Sequence, residues 1–286
     1  MPVPTVADVA YASLSTAQRL DLYVPDDRLD PMPLVVFIHG GAWMTGDKRA
    51  EYAAGVVALF LQQGYTVASV NYRLSDEAIF PAQLLDVKAA IRWLRANAPT
   101  YSIDPVRIAV TGESAGAHLA ALLGTSAGEA SLDDPALGNP GVSSAVQAVV
   151  DWYGPVDLVA ADAQLAENPN CTGSLREPGE PDPASSQLLG APADQVPALA
   201  AAANPITYLT PGREVPPFLI EHGDLDCVVP YQGSVALHEA IEAFAGPGRS
   251  QLVIVPGSGH YTAFDAASQI PTVLTFLAST IGEPSM

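Results

Sequence analysis

The segment from Arg107 to Leu123 constrains the fold of this chain more than any other. A β-branched run, Arg107 to Thr111, passes directly into Gly112-Glu113-Ser114-Ala115-Gly116 and then into Ala117-His118-Leu119-Ala120-Ala121-Leu122-Leu123, which reads as a helix. A strand that becomes a helix within one turn holds the apical serine on a strained backbone, and glycines two residues to either side leave room where Cβ atoms would collide. The helix N-terminus beneath the serine favours developing negative charge. This strand, turn and helix are the context that a nucleophile elbow requires.

The rest of the chain extends the same alternation. Leu34 to Ile38, Thr66 to Val70, Val146 to Trp152, Phe218 to His222 and Leu252 to Val255 read as strands, and their near-continuous apolarity predicts burial on both faces, as in a parallel sheet flanked by helices. Gln83 to Ala98 has helical spacing and meets Pro99. Arg19 to Val24 is expected to be an antiparallel start to the sheet. One domain over residues 1–286 is expected, interrupted at 155–216 by an insertion rich in proline, glycine and alanine. That insertion is a candidate cap over the strand ends; residues 167–183 resist regular structure, and Gln195 to Asn204 reads as a short helix.

A second Gly-rich turn follows a buried strand at His39-Gly40-Gly41-Ala42-Trp43. Acyl transfer passes through a tetrahedral oxyanion that backbone N–H groups stabilise, and consecutive small residues expose such groups. Gly41, Ala42 and the amide of Ala115 are the candidate oxyanion donors, with Gly40 shaping the loop; the sequence leaves open which loop amides point inward. His39 reads as a brace for this loop.

A serine nucleophile needs a base and the base needs an orienting acid. Of His39, His118, His222, His238 and His260, only His260 follows the last strand on a Gly-rich loop, Pro256-Gly257-Ser258-Gly259, from which it could reach the elbow. His118 and His238 fall in helices and His222 ends a strand, so packing roles are expected for them. The loop after Phe218 to His222 holds Asp224 and Asp226. Asp224 sits just after Gly223, where a turn-stabilising side chain is common, so Asp226 is preferred as the acid. The chain order Ser114, Asp226, His260 differs from that of the trypsin-like and subtilisin-like proteases.

Composition excludes several classes. The formal charge of −19, from 31 acidic against 12 basic residues, repels nucleic acid and anionic membrane surfaces. Apolar runs are strand-sized, so no membrane insertion is expected. The histidines are scattered, no His-Glu-x-x-His helix occurs, and the cysteines lack a partner pair at zinc spacing, so neither a metal nor another cofactor is expected. The N-terminal residues show no basic region followed by an apolar one, which reads as cytoplasmic, although a secreted chain that had lost a leader would read the same. Cys171 and Cys227 can form one bridge, which would tie the insertion to the acid loop, or stand as two thiols. Oligomeric state is not legible.

These motifs resemble those of an α/β-hydrolase of the hormone-sensitive-lipase type, and more narrowly of the bacterial feruloyl and acetyl esterase-like branch, which also resembles kynurenine formamidases. The carriers are Leu20-Asp21-Leu22-Tyr23-Val24-Pro25, His39 to Trp43 with Gly46-Asp47-Lys48, Asn71-Tyr72-Arg73-Leu74-Ser75, Phe80-Pro81-Ala82-Gln83 through Trp93-Leu94-Arg95, the Gly112 to Gly116 elbow, His222-Gly223-Asp224-Leu225-Asp226 and Gly257-Ser258-Gly259-His260. Ala42 stands where many lipase-like relatives have a third glycine. By position, the resemblance implies a triad of Ser114, Asp226 and His260, and a carboxylesterase acting on short-chain or aryl esters, including acetylated or feruloylated sugars. Arylformamidase activity on N-formylkynurenine-type amides is the alternative, and a non-catalytic binding module is a more remote one.

Overall fold

The computed structural model describes residues 2–25, 31–171, 181–260 and 266–284. Its strands are β1 (Val6–Ala10), β2 (Arg19–Tyr23), β3 (Met32–Ile38), β4 (Thr66–Val70), β5 (Ile103–Glu113), β6 (Ala148–Trp152), β7 (Phe218–Gly223) and β8 (Ser250–Val255). They form one sheet in the order β1-β2-β4-β3-β5-β6-β7-β8, antiparallel at β1, β2 and β4 and parallel from β4 onward across β3, β5, β6, β7 and β8. The helices are α1 (Glu51–Gln62), α2 (Ala82–Ala96), α3 (Ala115–Thr125), α4 (Ala161–Glu167), α5 (Pro183–Leu189), α6 (Pro197–Ala202), α7 (Tyr231–Ala245) and α8 (Ala266–Thr280).

Strand alternation sorts the core into two layers. Leu34, Val36 and Ile38 of β3 join Ala68, Val70, Ile108 and Val110 on one face, packed with Leu84, Val87 and Ile91 of α2 and Leu119 and Leu122 of α3. Val35 and Phe37 point the other way, with Val67, Ala109 and Val150, toward Val56, Val57 and Phe60 of α1 and Val273, Phe276 and Leu277 of α8. With both faces covered, the central strands are fully buried, which is why their sequences are apolar without a polar alternation. This is the α/β-hydrolase architecture.

The differences from the sequence expectations are local. β1 was not anticipated: Val-Ala-Asp-Val-Ala is too exposed and mixed to stand out, and it forms by pairing with β2. β5 begins at Ile103, four residues before the expected strand, and α2 ends at Ala96, before a 3₁₀ turn at Ala98–Tyr101 that contains Pro99. The insertion holds no strand among its described residues but more helix than expected. α4 grows from an alanine-rich run, and α5 from Asp182, whose carboxylate accepts the Ser185 amide, with Pro183 at the first position and Gly190 in a left-handed conformation at its end. α6 lies within the expected Gln195 to Asn204 helix. Residues 172–180, part of the segment expected to resist regular structure, lie outside the described residues.

Register brings the functional loops together. Ile38 pairs with Gly112 across β3 and β5, so the His39 to Trp43 loop and the Ser114 turn leave the sheet side by side. Gly223 pairs with Val255 across β7 and β8, so the Asp226 and His260 loops emerge together. All four lie at the carboxyl ends of parallel strands, where open α/β sheets bind ligands.

Candidate active site

Ser114 sits on the turn from β5 to α3 with φ 52° and ψ −120°, a conformation that costs energy for a side chain with a Cβ and that the surrounding structure imposes. Its amide donates to Trp152 O at 2.9 Å, and the His118 amide donates to Ser114 O at 3.0 Å, which anchors the turn on both sides. The glycine at 116 is obligatory: a Cβ there would lie 2.1 Å from Ile38 O, so only glycine lets α3 start against β3.

His260 Nε2 lies 3.0 Å from Ser114 Oγ, and His260 Nδ1 lies 2.6 Å from Asp226 Oδ2. All three side chains are buried. The other Asp226 oxygen, Oδ1, accepts the Val228 amide at 2.8 Å and the Val229 amide at 2.9 Å. Burial pushes Asp226 up, but hydrogen bonds from His222 and His260, with the charge those rings carry when protonated, outweigh it and hold the carboxyl far below the usual range. Asp224 is placed differently: its Oδ1 accepts the Gly257 amide at 2.7 Å and ties the two loops together, a turn-bracing role as expected for it.

The loops approach closely because residue 223 is glycine; a Cβ there would lie 2.0 Å from Ser258 O. Leu225 then donates to Ser258 O at 3.0 Å. This position carries no signal in the sequence beyond a glycine after a strand, because the neighbour that forbids a side chain lies 35 positions further on.

The His39 to Trp43 loop is braced from beneath. His39 is buried, stacks on Tyr72 with ring centroids 4.6 Å apart, and its Nδ1 lies 2.8 Å from Gly40 O, while Tyr72 donates to His39 O at 3.0 Å. Asn71 Nδ2 donates to Asp47 at 2.7 Å and Asn71 Oδ1 accepts the Lys48 amide at 2.5 Å. The Gly46-Asp47-Lys48 and Asn71-Tyr72 motifs therefore hold this loop in shape. Gly41, Ala42 and Trp43 all have positive φ, the last two near 57°. Gly40 donates its amide to Glu113 at 3.4 Å.

His118 is buried, with Nε2 2.7 Å from Ala203 O and its ring edge-on to Trp43; burial lowers it to about 4, so it stays neutral and links α3 to the insertion. Three residues near Ser114, His260 and Asp226 were missed by sequence reasoning. His222, expected only to pack, places Nε2 3.1 Å from Asp226 Oδ2. Tyr153 lies edge-on to His260 with centroids 4.9 Å apart and donates to Glu113 at 3.2 Å. Glu113 itself is raised by burial, against hydrogen bonds from Gly40 and Tyr153. A carboxylate inside an otherwise apolar elbow was the available signal for Glu113; for the other two there was none, since their partners come from distant elements.

Beside Ser114 lies a cavity of about 100 Å3. It is lined by Ala42, Trp43 and Ala115, by Val228 and Pro230 of the loop that carries Asp226, and by Leu158, Ala161, Asp182 and Ala184 of the insertion. The Cys171 and Cys227 sulfurs are bonded to each other, so the insertion is covalently joined to the loop that carries Asp226. Among the described residues no group of side chains has the make-up of a metal site, and no helix is long and apolar enough to cross a membrane.

The BD-FAE family profile matches residues 20–241. Esterase LipQ of Mycobacterium tuberculosis is 34% identical over 270 residues, spanning 92% of this chain and 58% of that protein, and Esterase LipC of the same organism is 34% identical over 264 residues, spanning 90% and 60%. The chain thus covers about three fifths of the length of these curated relatives. A solved structure described as a truncated form of a carbohydrate esterase from gut microbiota is 33% identical, with a TM-score of 0.80 and 96% of both chains covered. From β2 to within α7, in sequence pattern and in the sheet built from it, this chain belongs to the BD-FAE family.

Proposed function

We propose that the protein is a serine carboxylesterase of short-chain esters, built as one domain whose insertion at 155–216 forms a cap. The observation that carries this reading is the continuous relay from Ser114 Oγ to His260 Nε2 at 3.0 Å and from His260 Nδ1 to Asp226 Oδ2 at 2.6 Å, on a strained elbow. His260 takes the Ser114 proton as Oγ attacks the ester carbonyl, and Asp226 steadies the imidazolium. Amides of Gly41, Ala42 and Ala115 receive the oxyanion, with Gly40 occupied by Glu113 and shaping the loop. The alcohol leaves with the proton from His260, and water then releases the acid from Ser114 by the same steps in reverse order.

The cavity supports a small acyl group. The cavity of about 100 Å3 beside Ser114 is walled mostly by small and aliphatic side chains, which suits acetyl and similarly short acyl groups. The named relatives are esterases and the solved neighbour is described as a carbohydrate esterase, which favours an ester, including one of a sugar, over a formyl amide. The Cys171–Cys227 bridge favours an oxidising compartment over the cytoplasmic setting expected from the N-terminal residues. Ser114→Ala should abolish turnover of p-nitrophenyl acetate and covalent labelling by a fluorophosphonate; retained turnover sinks the mechanism, and a preference for N-formylkynurenine over acetyl esters sinks the substrate class.

A further inference from the structure

A second imidazole meets Asp226 on the same oxygen that His260 uses. His222, fully buried near the end of β7, has Nε2 3.1 Å from Asp226 Oδ2 and 3.1 Å from Val229 O, and Nδ1 2.7 Å from Ser234 Oγ in the first turn of α7. Both partners of Nε2 are acceptors, so Nε2 carries the ring proton; Nδ1 then accepts the hydrogen of the Ser234 hydroxyl. The hydrogen bonds run in one direction, from Ser234 to His222 to Asp226. With the Val228 and Val229 amides on Oδ1 and both imidazoles on Oδ2, the carboxylate has donors on each oxygen and cannot rotate without losing several of them.

We infer that His222 is a positioning residue of this site, acting through Asp226. It turns Oδ2 toward His260 Nδ1, which keeps the His260 proton on Nδ1 and leaves Nε2 to accept from Ser114. Ser234 acts one step further back by holding His222 in the tautomer that donates to the carboxylate. The ring is well sited for this and for little else: it is sealed from solvent, and Tyr153 lies edge-on to both His222 and His260, at 6.4 and 4.9 Å, so the two imidazoles share one wall. The inference rests on the Ser114–His260–Asp226 reading. The alternative is that His222 only braces the junction of β7 and α7.

The test compares His222→Leu with His222→Gln in the full chain, using p-nitrophenyl acetate and a fluorophosphonate probe. Glutamine carries an N–H donor at a reach similar to Nε2 and leucine carries none. For His222→Leu, kcat should fall about 10- to 100-fold with KM nearly unchanged, the size of effect seen when an orienting partner is removed, and the labelling rate should fall in parallel. His222→Gln should recover most of both. A folded Leu variant with parental kcat, or a Gln variant as impaired as the Leu one, overturns the inference, because a purely bracing role predicts no such split. If His222→Leu does not fold, Ser234→Ala decides: reduced kcat at constant KM supports the chain of donors, and parental kcat refutes it. Turnover retained by Ser114→Ala refutes the triad itself, whereas an inert Ser114→Ala beside unaffected His222 and Ser234 variants refutes only the role of His222.

Discussion

His260 Nδ1 stands 2.6 Å from Asp226 Oδ2, while Asp224, two residues earlier on the same loop, accepts the Gly257 amide instead. The two aspartates are thereby separated by their hydrogen-bond partners. Asp226→Asn should lower kcat about 10³- to 10⁴-fold with KM little changed, because an amide cannot hold the required His260 tautomer or steady an imidazolium. Asp224→Asn should keep most of its activity and lose some thermal stability. Steady-state kinetics on both variants decide, and equal losses count against the assignment.

Gly223 permits the approach of the loop that carries His260. In Gly223→Ala the new Cβ would meet Ser258 O at 2.0 Å, and the backbone must give way. On the proposed mechanism, displacement of His260 by about 1 Å is enough for a loss of roughly 10²-fold in kcat. The measurement is kcat beside the fluorophosphonate labelling rate, which should fall together.

Acyl-chain length should be limited by the cavity beside Ser114. Turnover of p-nitrophenyl esters is expected to be greatest at acetate to butyrate and to fall steeply for longer chains. Leu158→Ala, which enlarges the wall supplied by the insertion, should move the preference toward longer chains. An unchanged profile would mean that the acyl group lies elsewhere.

The Cys171–Cys227 bridge closes a sequence separation of 56 residues, and its removal by Cys171→Ser with Cys227→Ser should cost about 2–4 kcal/mol of stability, read as a lower Tm. The native protein should show no titratable thiol before reduction. Two free thiols in the protein isolated without reductant would contradict the pairing.

Stability should also fall between about pH 5 and pH 7. Burial pushes Glu221 up from 4.5 to about 7 and Asp151 from 3.8 to about 6, against hydrogen bonds from Trp152 and Gly154 respectively. Below the ordinary carboxylate range both states hold these protons; as pH rises the unfolded chain releases them first, which favours unfolding until the folded groups ionise too. Asp226 shifts in the opposite sense, and its stabilising contribution is complete above the ordinary range, so it adds no slope in this window. Glu221→Gln keeps an acceptor for Trp152 and should flatten the decline, raising Tm at pH 8 more than at pH 5. Calorimetry at the two pH values measures this, and an unchanged slope argues against it.

What the sequence by itself determined were the features written in local pattern. The buried parallel strands, the elbow at Ser114, the His39 to Trp43 loop and a histidine on a Gly-rich loop each depend on residues within about a dozen positions of one another. The preference for Asp226 over Asp224 rested on turn chemistry together with the family resemblance. Only the tertiary structure decided that β1 is a strand, since it exists by pairing with β2, and that Gly223 must lack a side chain, since Ser258 of another loop occupies the space. The same holds for His222: its sequence context is the end of a strand, and its meaning comes from Asp226, Val229 and Ser234 folding around it. Local propensity and burial period act along the chain, whereas a hydrogen-bond network and the shape of a cavity are properties of elements brought together by packing. The cavity beside Ser114 belongs to the second kind, which is why the insertion's composition alone gave no account of its shape.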